Sequence, residues 1–222
     1  MAQYIIHAVP DRMWYVDEFL VPSMLKQGIN QDDIQIYNDD THKGNLKACM
    51  DCFISLSESG TTWHLQDDVI ISRDFKEQTE KYDNNGIVCG FGNNLYDYNF
   101  PTGEVDVRHM WFSFQCIHIP NAIAKECADW HYKYMDGNFI YEKYWKEGLN
   151  DDWVFRQFLK CIYPDMKVLN LAPNIVNHVD YLLGGSKVCD RWARLESKYW
   201  KDAYLIQELE KKVEKRNAVS NM

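Results

Sequence analysis

No stretch of this 222-residue chain stays apolar for anything near the roughly 20 residues a bilayer-crossing helix needs, so no membrane span is expected. The first seven residues, Met1-Ala2-Gln3-Tyr4-Ile5-Ile6-His7, have neither a charged lead nor a cleavage site, and no signal peptide is read from them. Positive charge is also short. Against 33 Asp and Glu there are 24 Lys and Arg, a net charge of −9, which argues against a general nucleic-acid binder. Internal repeats and low-complexity tracts are missing, and no glycine-rich loop follows the first apolar run. The seven cysteines are odd in number and scattered, which suits reduced thiols and a cytoplasmic protein. One pair, Cys49-Met50-Asp51-Cys52, has metal-like spacing, but no second Cys/His pair completes a zinc site. Leu46, Cys49, Phe53 and Ile54 recur at helical spacing, so buried core is the preferred reading.

What is present is enough apolar sequence for a core, 46% of the chain, and a charge that is unevenly spread. From Lys187 onward nine basic residues stand against six acidic ones, while residues 1–186 hold 15 basic and 27 acidic. Residues 4–9 form an apolar run stopped by Pro10, as in a buried strand. Helical spacing follows over 14–26, with Pro22 a candidate kink and Gly28 a stop. Strands are expected at 33–38, 61–65 and 87–90, and helices at 44–56 and 72–81. This alternation predicts an α/β layer with a mostly parallel sheet. Ligands bind such sheets outside the carboxyl ends of the strands. Three polar clusters occupy those ends: Pro10-Asp11-Arg12, Asn38-Asp39-Asp40 and Gln66-Asp67-Asp68.

The second half is less regular. Residues 93–109 read as a long loop, 110–119 as an aromatic strand, and Pro120 as the first residue of a helix reaching about 135. Asn150-Asp151-Asp152 opens another helix, 167–171 is a strand, and a long helix is expected over about 190–216. The boundaries read as one domain over 1–188, in halves of about 1–92 and about 93–188. Residues 189–222 form a C-terminal helix and tail.

Asp67 and Asp68 sit between the apolar run that ends at Leu65 and Val69-Ile70-Ile71. Two adjacent carboxylates so placed are costly unless neutralised, and a hard divalent cation does this, as Mg²⁺ does with one or two carboxylates plus substrate phosphates. A surface turn or a helix cap is the plainer alternative.

Trp63-His64-Leu65-Gln66-Asp67-Asp68-Val69 resembles the acidic metal motif of GT-A nucleotide-sugar glycosyltransferases, with Gln66 where a first carboxylate would stand. The resemblance implies a GT-A-like catalytic domain over 1–188, a Rossmann-type sheet flanked by helices, with its donor half at about 1–92 and its acceptor half at about 93–188. It also implies a Mn²⁺ or Mg²⁺ ion held by Asp68, with Asp67 in support. It implies a nucleoside diphosphate donor, UDP-sugar favoured, received by Val9, Pro10, Arg12, Asp39, Lys43, Gly44, Asn45 and Asp67. His178 is similar to a late histidine that completes the metal shell. Gly184, Gly185, Ser186 and Lys187 read as a flexible lid over the diphosphate, or as a hinge. Asp151-Asp152 resembles the acidic pair that carries a catalytic base, with Asp152 the first choice and Asp151 the second.

The implied reaction is sugar transfer to a hydroxyl. Compact size and an Asn-, Lys- and Ile-rich composition look similar to phage-encoded enzymes, in which case the site of action is the host cytoplasm. The acceptor is then a modified base in phage DNA, or a saccharide. Aromatic residues that suit sugar rings or unstacked bases crowd the second half: Trp111, Phe112, Phe114, Trp130, Tyr132, Tyr134, Tyr141, Tyr144 and Trp145. Most of them read as core. Two rivals stay open: a metal-dependent nucleotidyltransferase, which the missing glycine-rich loop disfavours, and a non-catalytic nucleotide-binding or interaction module. In the terminal helix, Trp192, Leu195, Tyr199, Ile206, Leu209 and Val213 follow 3-and-4 spacing, as a packing strap or a homodimer seam would.

Overall fold

Tyr4, Ile6 and Ala8 of the first strand, β1 (Gln3–Ala8), join one apolar cluster, while Ile5 joins another on the opposite face. A strand covered on both faces reads as a continuous apolar run, and that is why this segment stood out in the sequence. The structure, a computed structural model, describes residues 3–83, 86–92, 102–107, 114–135, 150–184 and 202–220.

β1 pairs in parallel with β2 (Ile34–Asn38) on one side and β3 (Thr61–Gln66) on the other. Beyond β3 the sheet continues through β7 (Cys116–Pro120), β5 (Val88–Cys89), β8 (Lys167–Asn170) and β6 (Gly103–Asp106). The seven-stranded order is β2-β1-β3-β7-β5-β8-β6. Since β7 and β6 pair antiparallel with their neighbours, five strands run one way and two the other. The fold is α/β with a mixed, mostly parallel sheet. A second, two-stranded sheet joins β4 (Val69–Ile71) to β9 (Val176–His178).

One face of the large sheet carries α3 (Asn45–Ser55), α5 (Asn121–Tyr134) and α6 (Asp151–Ile162), around Phe53, Phe114, Phe155 and Phe158. Cys49 and Phe53 are buried there, as the core reading expected; Cys52 is buried as well, while Ile54, read as part of the same stripe, is exposed. Gly44 precedes α3 at φ +91°, a left-handed value that favours glycine. The other face is covered by a helical run from residue 10 to 26. It comprises a 3₁₀ turn (Pro10–Arg12), α1 (Met13–Tyr15), a π-helical segment (Val16–Leu20) and α2 (Val21–Lys26). Pro22 has no amide to offer Glu18 four residues earlier, and the wider π turn falls at that place. α4 (Phe75–Tyr82) buries Phe75 in the same cluster.

The last helix, α7 (Ala203–Ser220), lays Leu209 and Ile206 against its own chain. Lys212 and Arg216 lie over the rings of Phe19 and Trp14, and Arg216 pairs with Glu18 at 3.1 Å. Trp192, Leu195 and Tyr199 lie outside the described residues. Among those described, no helix is long and apolar enough to cross a membrane.

Two expectations need correction. Within the segment read as a loop over 93–109, Gly103–Asp106 is an edge strand paired antiparallel with β8. Its polar Gly-Glu-Val-Asp sequence lacks the apolar run by which buried strands are recognised. Pro120 closes β7 and caps the following helix instead of starting it; Asn121 is the first helical residue. Of the second-half aromatics, Phe114 is core, Trp130 is half-buried, and Tyr132 and Tyr134 are exposed. Trp111, Phe112, Tyr141, Tyr144 and Trp145 lie outside the described residues.

Candidate functional site

β1 and β3 are neighbours, so the loops leaving their carboxyl ends meet. Asp67 links them: its Oδ2 accepts the Val9 backbone N–H at 2.8 Å, and its Oδ1 accepts Arg12 Nη1 at 2.9 Å. The same Nη1 donates to Asp68 Oδ2 at 2.6 Å. Pro10 starts the 3₁₀ turn with its fixed φ, and this turn folds the Arg12 side chain back over the carboxylate pair. All three side chains are largely withdrawn from water.

His178 reaches the same point from β9. Val69 and His178 are register partners, and the Val179 N–H donates to the Asp68 carbonyl at 2.8 Å. His178 Nε2 lies 3.2 Å from Asp68 Oδ2, and Nδ1 lies 3.6 Å from Asp180 Oδ1. Asp180, fully buried, is a site residue that sequence reasoning passed over. Its signal was the His-x-Asp spacing, which lets a carboxylate orient the histidine ring.

The charges divide unequally. Burial alone would raise the Asp68 carboxyl, but His178 and Arg12 outweigh it and hold it well below the usual carboxylate range. Burial and the charge of Asp68 push Asp67 up to about 6. Burial opposes the His178 imidazolium, yet Asp68 and Asp180 raise its pKa overall. Asp68 is therefore the ionised centre of the cluster.

A second polar cluster adjoins the first through Gln66. This side chain lies on the α3 and α6 face, where its Nε2 donates to Asp151 Oδ2 at 3.3 Å and its Oε1 accepts Gln115 Nε2 at 3.1 Å. Asp151 Oδ1 also accepts Asn45 Nδ2 and the Asp152 N–H, both at 2.9 Å. One carboxylate thus ties the starts of α3 and α6 to the end of β3. Burial, then the charge of Asp152, pushes Asp151 up to about 7. Asp152 Oδ1 accepts the Trp153 N–H at 2.6 Å, and burial pushes this carboxyl up to about 6. Sequence reading put Asp152 ahead of Asp151; contact with the strand edge belongs to Asp151. Neither Gln66 nor Gln115 was foreseen in this network, because the partners are 85 and 49 residues away from Gln66.

At the end of β2, Asp39 is buried and accepts the backbone N–H groups of Lys43 and Gly44 at 3.0 and 3.3 Å. Its own N–H donates to the Ala8 carbonyl at 2.8 Å, so this loop adjoins the one from β1. Lys43 Nζ pairs with Asp51 at 2.6 Å and turns toward α3. Gly185, Ser186 and Lys187, the expected lid, lie outside the described residues.

Among the described residues, no group of three or more His, Cys, Asp or Glu side chains forms a ready metal cage. The fit of a divalent ion rests on fewer atoms. Asp68 Oδ2 and His178 Nε2 stand 3.2 Å apart, close to the ~3 Å between adjacent ligands on an octahedral ion with ligand distances of ~2.1 Å. Among the described residues, the buried Asp68 Oδ1 has no hydrogen-bond partner. An imidazole beside a carboxylate suits Mn²⁺. Asp67 points its two oxygens elsewhere, at Val9 and Arg12. The residues present that fit such an ion are Asp68 and His178.

No protein-family model matches this chain, and no curated protein matches it either.

Proposed function

We propose that this chain is a metal-dependent glycosyltransferase that moves a sugar from a nucleoside diphosphate, UDP-sugar favoured, to a hydroxyl acceptor. The observation that carries the reading is the convergence of Arg12, Asp67, Asp68 and His178 where β1 and β3 end, the edge at which open α/β sheets bind ligands. In this reading Asp68 and His178 hold Mn²⁺ or Mg²⁺. Such an ion, when bound, supplies Lewis-acid stabilisation of the charge on a departing diphosphate.

The chain's own residues do the rest. Asp67 fixes the Val9–Arg12 loop through a backbone bond, which presets the rim that meets the nucleotide. Arg12 offers a planar guanidinium suited to phosphate oxygens. Asp39 braces the turn before α3 through the Lys43 and Gly44 N–H groups, and Asn45 bonds Asp151. Asp151, raised to about 7 by burial, is a carboxyl tuned near neutral pH, as a general base for an acceptor hydroxyl should be. Asp152, pushed to about 6, is the neighbouring candidate.

A thermal-shift panel of nucleoside diphosphates with and without Mn²⁺ tests the donor site. Stabilisation by uridine diphosphate that requires Mn²⁺ is the expected result; no stabilisation by any nucleotide would sink the proposal. For the acceptor, labelled UDP-sugar is offered with 5-hydroxymethylated DNA and, in parallel, with saccharides. Label in the DNA alone supports a phage-type DNA-modifying role in the host cytoplasm, and label in saccharides alone excludes it.

A further inference from the structure

Arg12 does two things that a single side chain rarely does in a cation site. One nitrogen, Nη1, bonds both carboxylates, at 2.9 Å to Asp67 Oδ1 and 2.6 Å to Asp68 Oδ2. And the oxygen it takes on Asp68 is the one that faces His178 Nε2 at 3.2 Å. We infer that Arg12 is the site's resident cation: its guanidinium holds Asp68 until a divalent ion takes that oxygen, and is then released toward the donor's diphosphate. This rests on the proposed donor site and adds to it the order in which the site fills.

Three features support the exchange. A guanidinium and a divalent ion repel each other strongly at contact range inside a protein, so both are not accommodated on Asp68 Oδ2. The loop does not depend on the guanidinium for its anchor, because the Val9 N–H is held by Asp67 Oδ2 and the Arg12 N–H donates to the Val9 carbonyl at 3.0 Å. The side chain can therefore leave Asp68 while its backbone stays in place. Finally, Asp68 has a second buried oxygen, Oδ1, with no hydrogen-bond partner among the described residues, which gives an incoming ion a foothold before Arg12 departs.

Coupling between the ion and the diphosphate follows. A metal ion takes the Asp68 oxygen from the guanidinium, which stays beside Asp67, and a bound diphosphate holds the guanidinium away from Asp68. Each ligand raises the affinity for the other by the same factor.

The test measures Mn²⁺ binding to the full chain by electron paramagnetic resonance, with and without uridine diphosphate, in wild type, Arg12→Gln and Arg12→Lys. Arg12→Gln removes the competing charge and leaves a shorter, neutral amide. It should bind Mn²⁺ alone roughly tenfold more tightly than wild type, within the usual range of coupling between sites. In that variant uridine diphosphate should improve Mn²⁺ binding less than it does in wild type. Arg12→Lys keeps the charge and should stay near wild type. Equal Mn²⁺ affinity in wild type and Arg12→Gln, or weaker binding in the variant, overturns the inference.

A measurement on the unmutated chain covers the case in which Arg12→Gln does not fold. The side-chain nitrogen resonances of ¹⁵N-arginine-labelled protein are recorded before and after saturating Mg²⁺. The exchange predicts that one arginine side-chain signal shifts as its bond to Asp68 is lost, and a spectrum unchanged at saturation overturns it. If wild type binds Mn²⁺ with uridine diphosphate but the variant gains nothing, only the resident-cation inference falls. If no form binds Mn²⁺ under any condition, the donor-site reading falls with it.

Discussion

Gln66 donates its side-chain amide to Asp151, 85 residues away in the sequence, at 3.3 Å. Its other end accepts from Gln115 at 3.1 Å, so both halves of the amide are used. A carboxylate in this place could accept from Gln115 but could give nothing to Asp151, and would set a half-buried negative charge against it. That accounts for an amide at the position where the resembling motif has an acid. Gln66→Glu should therefore cost about 2–4 kcal/mol of stability at neutral pH, the scale of an uncompensated buried charge. The loss should shrink near pH 4, where the two carboxyls share a proton. Urea midpoints at the two pH values check this, and an equal loss at both would contradict it.

Asp151 itself imposes a pH dependence. Its pKa rises from 3.8 to about 7 on folding, chiefly through burial. Between these values the folded chain keeps a proton that the unfolded chain has lost, so stability falls as pH rises across the window. Asp67 and Asp152, each pushed to about 6, contribute with the same sign. Asp151→Asn removes the largest of the three contributions, at a pH-independent cost of about 1 kcal/mol for the mismatched hydrogen bond. Relative to wild type, the variant should gain steadily from pH 4 to pH 7.5 in denaturant titrations. Parallel pH curves would show that Asp151 does not titrate in that range.

The sheet was legible where burial on both faces leaves a continuous apolar run, as at residues 4–9, and where the run ends in a polar cluster. Gly103–Asp106 was not, because an edge strand needs no such run. The π-helical segment at Val16–Leu20 leaves no trace beyond Pro22. At the site, Asp67, Asp68 and His178 could be chosen for their residue type and position, and the structure brings them together. What Asp67 does there could not be read: its partner is a backbone N–H of Val9, which every residue but proline offers. Gln66, Gln115 and Asp180 carry no distinctive chemistry alone. They matter only through partners that folding supplies.

The division of labour between the two adjacent aspartates is open to a direct comparison. Asp68 faces His178 and has an oxygen without a partner among the described residues, so Asp68→Ala should abolish the Mn²⁺-dependent part of nucleotide stabilisation. Asp67→Ala should instead lower the stability of the unliganded chain by about 3 kcal/mol, since it strips a buried partner from Arg12 and an acceptor from Val9. Asp67→Asn keeps an acceptor for the Val9 N–H and should lose less. Thermal melts of the three variants, with and without Mn²⁺ and uridine diphosphate, separate the roles. Loss of metal dependence in Asp67→Ala with its retention in Asp68→Ala would reverse the assignment.

The terminal helix distinguishes a packing strap from a dimer seam by what its apolar residues touch. Leu209 is fully buried, and it lies in the cluster that holds Tyr15, Phe19 and Leu20 of the same chain. A strap places its cost inside one chain. Leu209→Ala should therefore lose about 2–5 kcal/mol through lost burial and the cavity left behind. For a chain of this size that corresponds to a fall in Tm of roughly 5–15 °C. Light scattering should give the same mass for wild type and variant, and the Tm should not depend on protein concentration. A seam between two chains would behave otherwise: mass would halve in the variant and Tm would rise with concentration in wild type, because association stabilises by mass action.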